Sequence, residues 1–242
     1  MFIRAASARS PRSARARLAL ALGAAAVLIG SNGCQHTPAV SVDWRGGPFF
    51  RPTNYTGVAI MPAEIRRVAV LPLAGLEGLP PESTEPLREA LAAALLATAR
   101  FEVVAVDGAL LRAAGGRATV RSTEPLPAGL FERIAREHAP DAVLFVEVTH
   151  YQPYAPLVLG VRAKLVSGDG SHAVLWAFDT LYDARVPAVA NSARRHAAGG
   201  GREAVDVGPA GVQSPRRFAA YVFTDLCSCL PERPPPLPAK VP

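Results

Sequence analysis

Arg67-Val68-Ala69-Val70-Leu71-Pro72-Leu73 is a continuous apolar run bounded by charge and by Pro/Gly, which is the pattern of a β-strand buried on both faces. Ala142 to Val148 repeats it. A strand with no wet face needs packing above and below, so the chain must supply helices to cover a sheet. The intervening sequence supplies them. A loop with Pro80 and Pro81 leads into a predicted helix over Thr84–Ala99, with Ser83 or Thr84 as cap and Pro86 in its first turn. Leu87, Leu91, Leu95 and Thr98 recur at 3–4 spacing, forming one face for the sheet. Glu102–Val106 reads as a second strand, and Asp107-Gly108 opens a small helix through Leu110 and Leu111. After a loop, a helix near Pro127–His138 places Leu130, Ile134 and His138 on one side, with Pro140 as its stop. Strand, helix, strand, helix, strand with apolar strands predicts parallel crossovers.

From Leu157 the pattern changes. Leu157, Leu159, Val161, Ala163 and Leu165 alternate with a set containing Arg162 and Lys164. The turn Ser167-Gly168-Asp169-Gly170-Ser171 returns the chain into Ala173–Tyr182, an antiparallel hairpin with one wet face. Helices near Val186–Ala198 and Pro215–Leu230 follow, joined across Gly199-Gly200-Gly201. The expected fold is therefore α/β: a parallel β-α-β-α-β core extended by an antiparallel β-hairpin, with C-terminal helices.

The N-terminus has a different character. Arg4, Arg9, Arg12, Arg15 and Arg17 stand in the first 17 residues with no acid among them. Without these five the net charge falls from +6 to +1, so the folded part is nearly neutral and no nucleic-acid partner is expected. Leu18–Ile29 is an apolar run of 12 residues. As a helix it spans roughly 18 Å, short of the ~30 Å hydrocarbon core, and it reads as the h-region of a signal peptide. Ser31-Asn32-Gly33-Cys34 follows, with small residues where a signal peptidase needs them. The expected organisation is a signal peptide over 1–33, a flexible tether over 34–57 rich in Pro, Gly, Ser and Thr, the α/β domain over 58–230, and a disordered tail over 231–242. Half of the tail is proline.

Gly33-Cys34 resembles the end of a bacterial lipobox, with Ser31 where an aliphatic residue usually stands. The resemblance implies a palmitate-type acylation of Cys34, and Gln35 after it implies the outer membrane, facing the periplasm. Two acyl chains on Cys34 give stable anchoring where one does not. The domain itself resembles a group of envelope lipoproteins: the curli-secretion lipoprotein, the lipoprotein activators of penicillin-binding proteins, and the amino-terminal domain of the Tol translocation protein. The resemblance rests on the leader with Cys34, Val68–Leu73, Arg100-Phe101-Glu102-Val103-Val104, Pro140–Val148, and a long hairpin carrying Trp176. It covers roughly residues 60 to 182. It implies a non-enzymatic binding, scaffold or regulatory module for outer-membrane assembly, secretion or cell-wall synthesis, with an envelope protein as partner.

Candidate chemistry is sparse. Gly75 and Gly78 after the first strand and Asp107 after the second are a fragment of a dinucleotide fingerprint. The third glycine is missing, and Pro80-Pro81 lengthens the loop, so no cofactor is expected. Glu147, Thr149 and His150 end the third strand, but alternation puts Glu147 and His150 on opposite faces. His36, His138, His172 and His196 are scattered, no nucleophile elbow is present, and no metal-ligand spacing occurs, so no enzyme activity is expected. Cys227 and Cys229 lie near the end of the last predicted helix. They are a possible disulfide in an oxidising compartment, although i and i+2 on a helix point apart; a bridge needs the helix end to fray, or a second chain. The hairpin also has the length of membrane β-strands, with Tyr151, Tyr154, Trp176 and Tyr182 as candidate interfacial aromatics. The resemblance to the curli-secretion lipoprotein, a family whose inserted hairpins form an oligomeric pore, implies the alternative function: an oligomeric secretion-channel component.

Overall fold

In the computed structural model, which describes residues 47–199 and 210–234, the two apolar runs lie side by side in the middle of one sheet. The sheet is built from β1 (Tyr55–Gly57), β2 (Arg67–Val70), β3 (Glu102–Ala105), β4 (Ala142–Gln152), β5 (Val158–Ser167) and β6 (Val174–Asp183). Its order is β1-β6-β5-β4-β2-β3. β2 is parallel to both β3 and β4, and the β4–β5, β5–β6 and β6–β1 pairs are antiparallel. The parallel core with an antiparallel hairpin added is the architecture expected from the apolar patterning.

The helices are α1 (Pro81–Thr98), α2 (Gly108–Gly115), α3 (Leu130–His138), α4 (Pro187–Ala197), α5 (Ala210–Gln213) and α6 (Pro215–Ser228). Leu87, Leu91 and Leu95 of α1 join Phe218, Val222 and Phe223 of α6 over one sheet face, where Val68, Leu144, Val161, Leu165, Trp176 and Tyr182 meet them. On the other face Leu110, Leu111, Leu130 and Ile134 cover Ala69, Leu71, Val143 and Phe145. That second layer stops short of the hairpin. Arg162, Lys164, Ala177 and Asp179 alternate with buried residues and remain half-exposed.

Several boundaries differ from expectation, each for a local reason. α1 begins at Pro81, three residues early, with Pro80 extended before it and no side-chain cap. Proline is favoured at the first helical position, where its missing N–H is no loss. Thr84 therefore sits inside the helix, buried, rather than capping it. Asp107 does cap α2, accepting from the Ala109 N–H at 2.9 Å. β2 ends before Pro72, yet Leu71 and Ala74 donate to Leu144 and Val146 and prolong the pairing with β4. The docked part of the chain also begins earlier than residue 58. Phe50 N–H donates to Ala188 C=O and to Ser192 Oγ, Asn191 donates to Pro48 C=O, and β1 pairs with β6. Apolar Phe50 packs on the core, which composition over a Pro/Gly-rich stretch conceals. At the other end Glu232 bridges to Ile60, so the start of the proline-rich segment is docked too.

Candidate functional site

α6 buries Phe218, Ala219, Tyr221, Val222, Phe223, Leu226 and Cys227. This leaves Thr224, Asp225 and Ser228 along its rim. On α4, Ser192, Arg195 and His196 are spaced to share one face, which turns toward that rim. The segment Phe49–Pro52 crosses beside both helices. Together they enclose a hollow of about 470 Å³ lined by Phe50, Ser192, Arg195, His196, Tyr221 and Asp225. A second hollow of about 370 Å³ shares Phe50, Arg195, Asp225 and Ser228 with it and reaches Cys229.

Asp225 Oδ2 accepts from the Tyr182 hydroxyl at 2.8 Å, and burial raises the Asp225 carboxyl above its ordinary value despite that bond. Burial and the nearby Asp225 raise the Tyr221 phenol. Its hydroxyl is buried and makes no hydrogen bond among the described residues; Ser192 lies close enough to favour the phenolate slightly, without meeting hydrogen-bond geometry. Burial lowers His196, so its imidazole is neutral near pH 7. The Arg195 guanidinium lies 3.7 Å over the Phe49 ring.

A raised carboxyl has a measurable consequence. Between the ordinary value of 3.8 and its higher folded value, the folded state binds more protons than the unfolded state. Asp225 therefore costs stability as pH rises through that window, and the cost persists above it. Asp225→Asn, which still accepts from Tyr182, is expected to raise the urea midpoint at pH 7, with the gain disappearing below pH 3.8.

Two other clusters are ion-paired. Glu147, Arg162 and Asp179 face one another in register across β4, β5 and β6. Arg162 donates to Asp179 at 2.8 Å and to the buried Glu147 at 3.2 Å, and the Asp179 bond is the main reason its guanidinium is held even more firmly protonated. At the carboxyl ends of the parallel strands, a hollow of about 510 Å³ is edged by Glu77, Arg88, Arg117, Arg121 and Glu124. Burial pushes Glu77 up, but its backbone hydrogen bonds and those from Thr119 (2.9 Å) and Arg121 (3.0 Å) outweigh it and hold the carboxyl below its ordinary value. Arg117 pairs with Glu124 at 2.8 Å.

The residues singled out from sequence fall as follows. Cys34 and His36 lie outside the described residues. Cys227 is buried and Cys229 half-buried, and both are free thiols. Burial pushes Cys227 up to about 12 and also raises Cys229, so both stay protonated near neutral pH and lack the thiolate a nucleophile needs. Gly75 is a strand-to-helix loop residue at positive φ, pressed against the Val148 carbonyl. Glu147 and His150 do not lie on opposite faces. The β4–β5 register slips between Val148 and His150, so Thr149 is an extra residue. His150 then pairs with Gly160, and a Cβ at Gly160 would meet both Thr149 Oγ1 and His150 Cβ. That shared side is the Arg162 face, where Glu147 points. Trp176 and Tyr182 are fully buried and Tyr151 half-buried, so of the four proposed interfacial aromatics Tyr154 alone is exposed. No described helix is long and apolar enough to cross a membrane. Among the described residues no group of three His, Cys, Asp or Glu is placed to hold a metal ion. The hollow around Asp225 corresponds to no motif in the sequence. Its one local signal is Thr224, Asp225 and Ser228, polar residues within the otherwise apolar second half of the helix.

No family model matches the sequence, and no curated protein matches it. Among solved structures, the chain is similar to the PelC dodecamer from Paraburkholderia phytofirmans, at 17% identity and TM-score 0.40 over 71% of this chain and 94% of that one. It is also similar to lipoprotein GNA1162 from Neisseria meningitidis, at 18% identity and TM-score 0.33 over 48% of this chain and 78% of that one. The LpoB C-terminal domain from Salmonella enterica shows 19% identity and TM-score 0.27 over 48% of this chain and 81% of that one. At these identities and TM-scores the likeness assigns the chain no role.

Proposed function

We propose that this chain is an envelope protein, anchored to the outer membrane through acylated Cys34 and facing the periplasm. It works by binding an envelope protein partner in outer-membrane assembly, secretion or cell-wall synthesis, and not by catalysis. The leader carries the reading: five arginines, twelve apolar residues, then Ser31-Asn32-Gly33-Cys34. The chain is docked from Pro48, fourteen residues after Cys34, a span that reaches at most about 50 Å when extended. That length lets a folded domain stand off the bilayer while staying tied to it. Further support comes from four groups withdrawn from such work: Glu77 and Glu147 are committed to arginines, and both domain cysteines are held as thiols.

The channel alternative asks the hairpin for an apolar face to give to lipid. Val161, Ala163, Leu165, Trp176 and Phe178 already bury that face under the helices, which weighs against it.

Intact mass of the protein purified from membranes, beside Cys34→Ser, tests the anchor. The expected mass is that of the chain from Cys34 with a diacylglyceryl group, and the variant is expected to lose the lipid and leave the membrane fraction. An unlipidated mass, or a leader still attached, overturns the proposal.

A further inference from the structure

Arg195 and Asp225 carry opposite charges and line the same two hollows, yet neither makes an ion pair among the described residues. Elsewhere opposite charges that share a concavity close on each other, as Arg121 does on Glu77 and Arg117 on Glu124. Here each charge is fixed by a neutral partner instead. Phe49 takes one flat face of the guanidinium, leaving its forked N–H edge, which matches a carboxylate. Tyr182 occupies one oxygen of Asp225 and leaves the other. Beside them is the Tyr221 hydroxyl on a residue only 4% exposed, without a hydrogen bond among the described residues. A buried polar atom left without a partner is costly unless something fills the site.

We propose that this concavity binds a small zwitterion of the amino-acid type, its carboxylate on Arg195, its ammonium on Asp225, and its side chain against Phe50. The Tyr221 hydroxyl donates to the ligand carboxylate. A carboxylate partly withdrawn from water gains most from an incoming cation, and the raised Asp225 carboxyl is in that condition. The hollow of about 470 Å³ is in the usual size range of small-molecule sites, about 300–1,000 Å³. The adjoining hollow leaves room for a side chain or a second residue, so the ligand is a free amino acid or a short peptide.

Isothermal titration of the full chain in detergent with glycine, L-alanine, D-alanine, L-phenylalanine and alanyl-alanine tests this. Saturable binding of at least one probe is expected, and the single amino acids against the dipeptide tell the two sources apart. N-acetylation or amidation of the bound probe is expected to weaken it at least about tenfold, as loss of one charge-assisted hydrogen bond predicts. Arg195→Gln and Asp225→Asn are each expected to do the same, whereas Glu77→Gln in the strand-end hollow leaves binding unchanged. The urea midpoint of Asp225→Asn at pH 7, expected at or above that of the parent, separates weaker binding from a folding defect. No saturable binding of any probe, or binding that survives both substitutions, overturns the proposal. The lipid on Cys34 does not enter this titration, so its outcome is separate from that of the anchor.

Discussion

Gly75→Ala is expected to destabilise the domain by about 3–4 kcal/mol, read as a fall in urea midpoint with the slope unchanged. Gly75 has φ +81, where a side chain strains the backbone by roughly 1–2 kcal/mol. The larger effect is contact. A Cβ there would stand 2.0 Å from the Val148 carbonyl oxygen, which is backbone in the central strand β4 and has no rotamer to yield. To admit it, the loop after β2 must lift off β4. Lifting it breaks the bridge in which Ala74 donates to Val146 and Val148 donates to Ala74, two hydrogen bonds of about 1 kcal/mol each. Gly78 is the control. Its φ is +82, but a Cβ would meet nothing within 4 Å, so Gly78→Ala is expected to cost the backbone strain alone, about 1–2 kcal/mol. Equal effects at both positions would show that the close approach to Val148 does not matter.

Trp176→Ala is expected to cost about 3–5 kcal/mol, about a fifth or more of the stability of an ordinary domain. The indole is 1% exposed on β6, stacks on Phe178 at 5.6 Å, and lies in the cluster where the hairpin meets the helices. Removing it leaves a cavity that a sheet paired on both sides of β6 cannot close. Trp176→Phe is expected to cost under about 2 kcal/mol, because the part of the indole it deletes carries Nε1, a buried donor with no partner among the described residues. The pair also decides between the two uses of the hairpin. If Trp176 served a membrane interface, its truncation would leave the detergent-free domain as stable as before. Urea unfolding of the Cys34→Ser protein without detergent, with both variants, reads the difference.

The elements that were legible from residue order are those whose signal is local. Val68–Leu73 and Ala142–Val148 have no polar side, so they had to be central, and they are. Leu157, Leu159, Val161, Ala163 and Leu165 alternate, so the hairpin had to bury one face, and it does. Asp107 caps α2 through a contact two residues away. α1 starts before the capping residues Ser83 and Thr84 because two prolines offer a helical first turn without a side-chain cap, a competition between rules of similar strength.

What escaped the sequence depended on fit between distant segments. Strict alternation separated Glu147 from His150 until one residue of β4 failed to pair with β5, and a slip of one reverses the face of every residue beyond it. Trp176 and Tyr182 suited a core and a lipid interface equally well as a pattern, and the choice fell to α1, α4 and α6, which lie over them. The Asp225 hollow draws on Phe50, on Ser192 to His196, and on Tyr221 to Ser228, stretches up to about 180 residues apart. Periodicity, caps and turns act over a few residues, so residue order is enough to specify strands and helices. A site made of side chains from three segments exists only once the sheet has brought those segments together, and its charges have meaning only when the partners facing them are known.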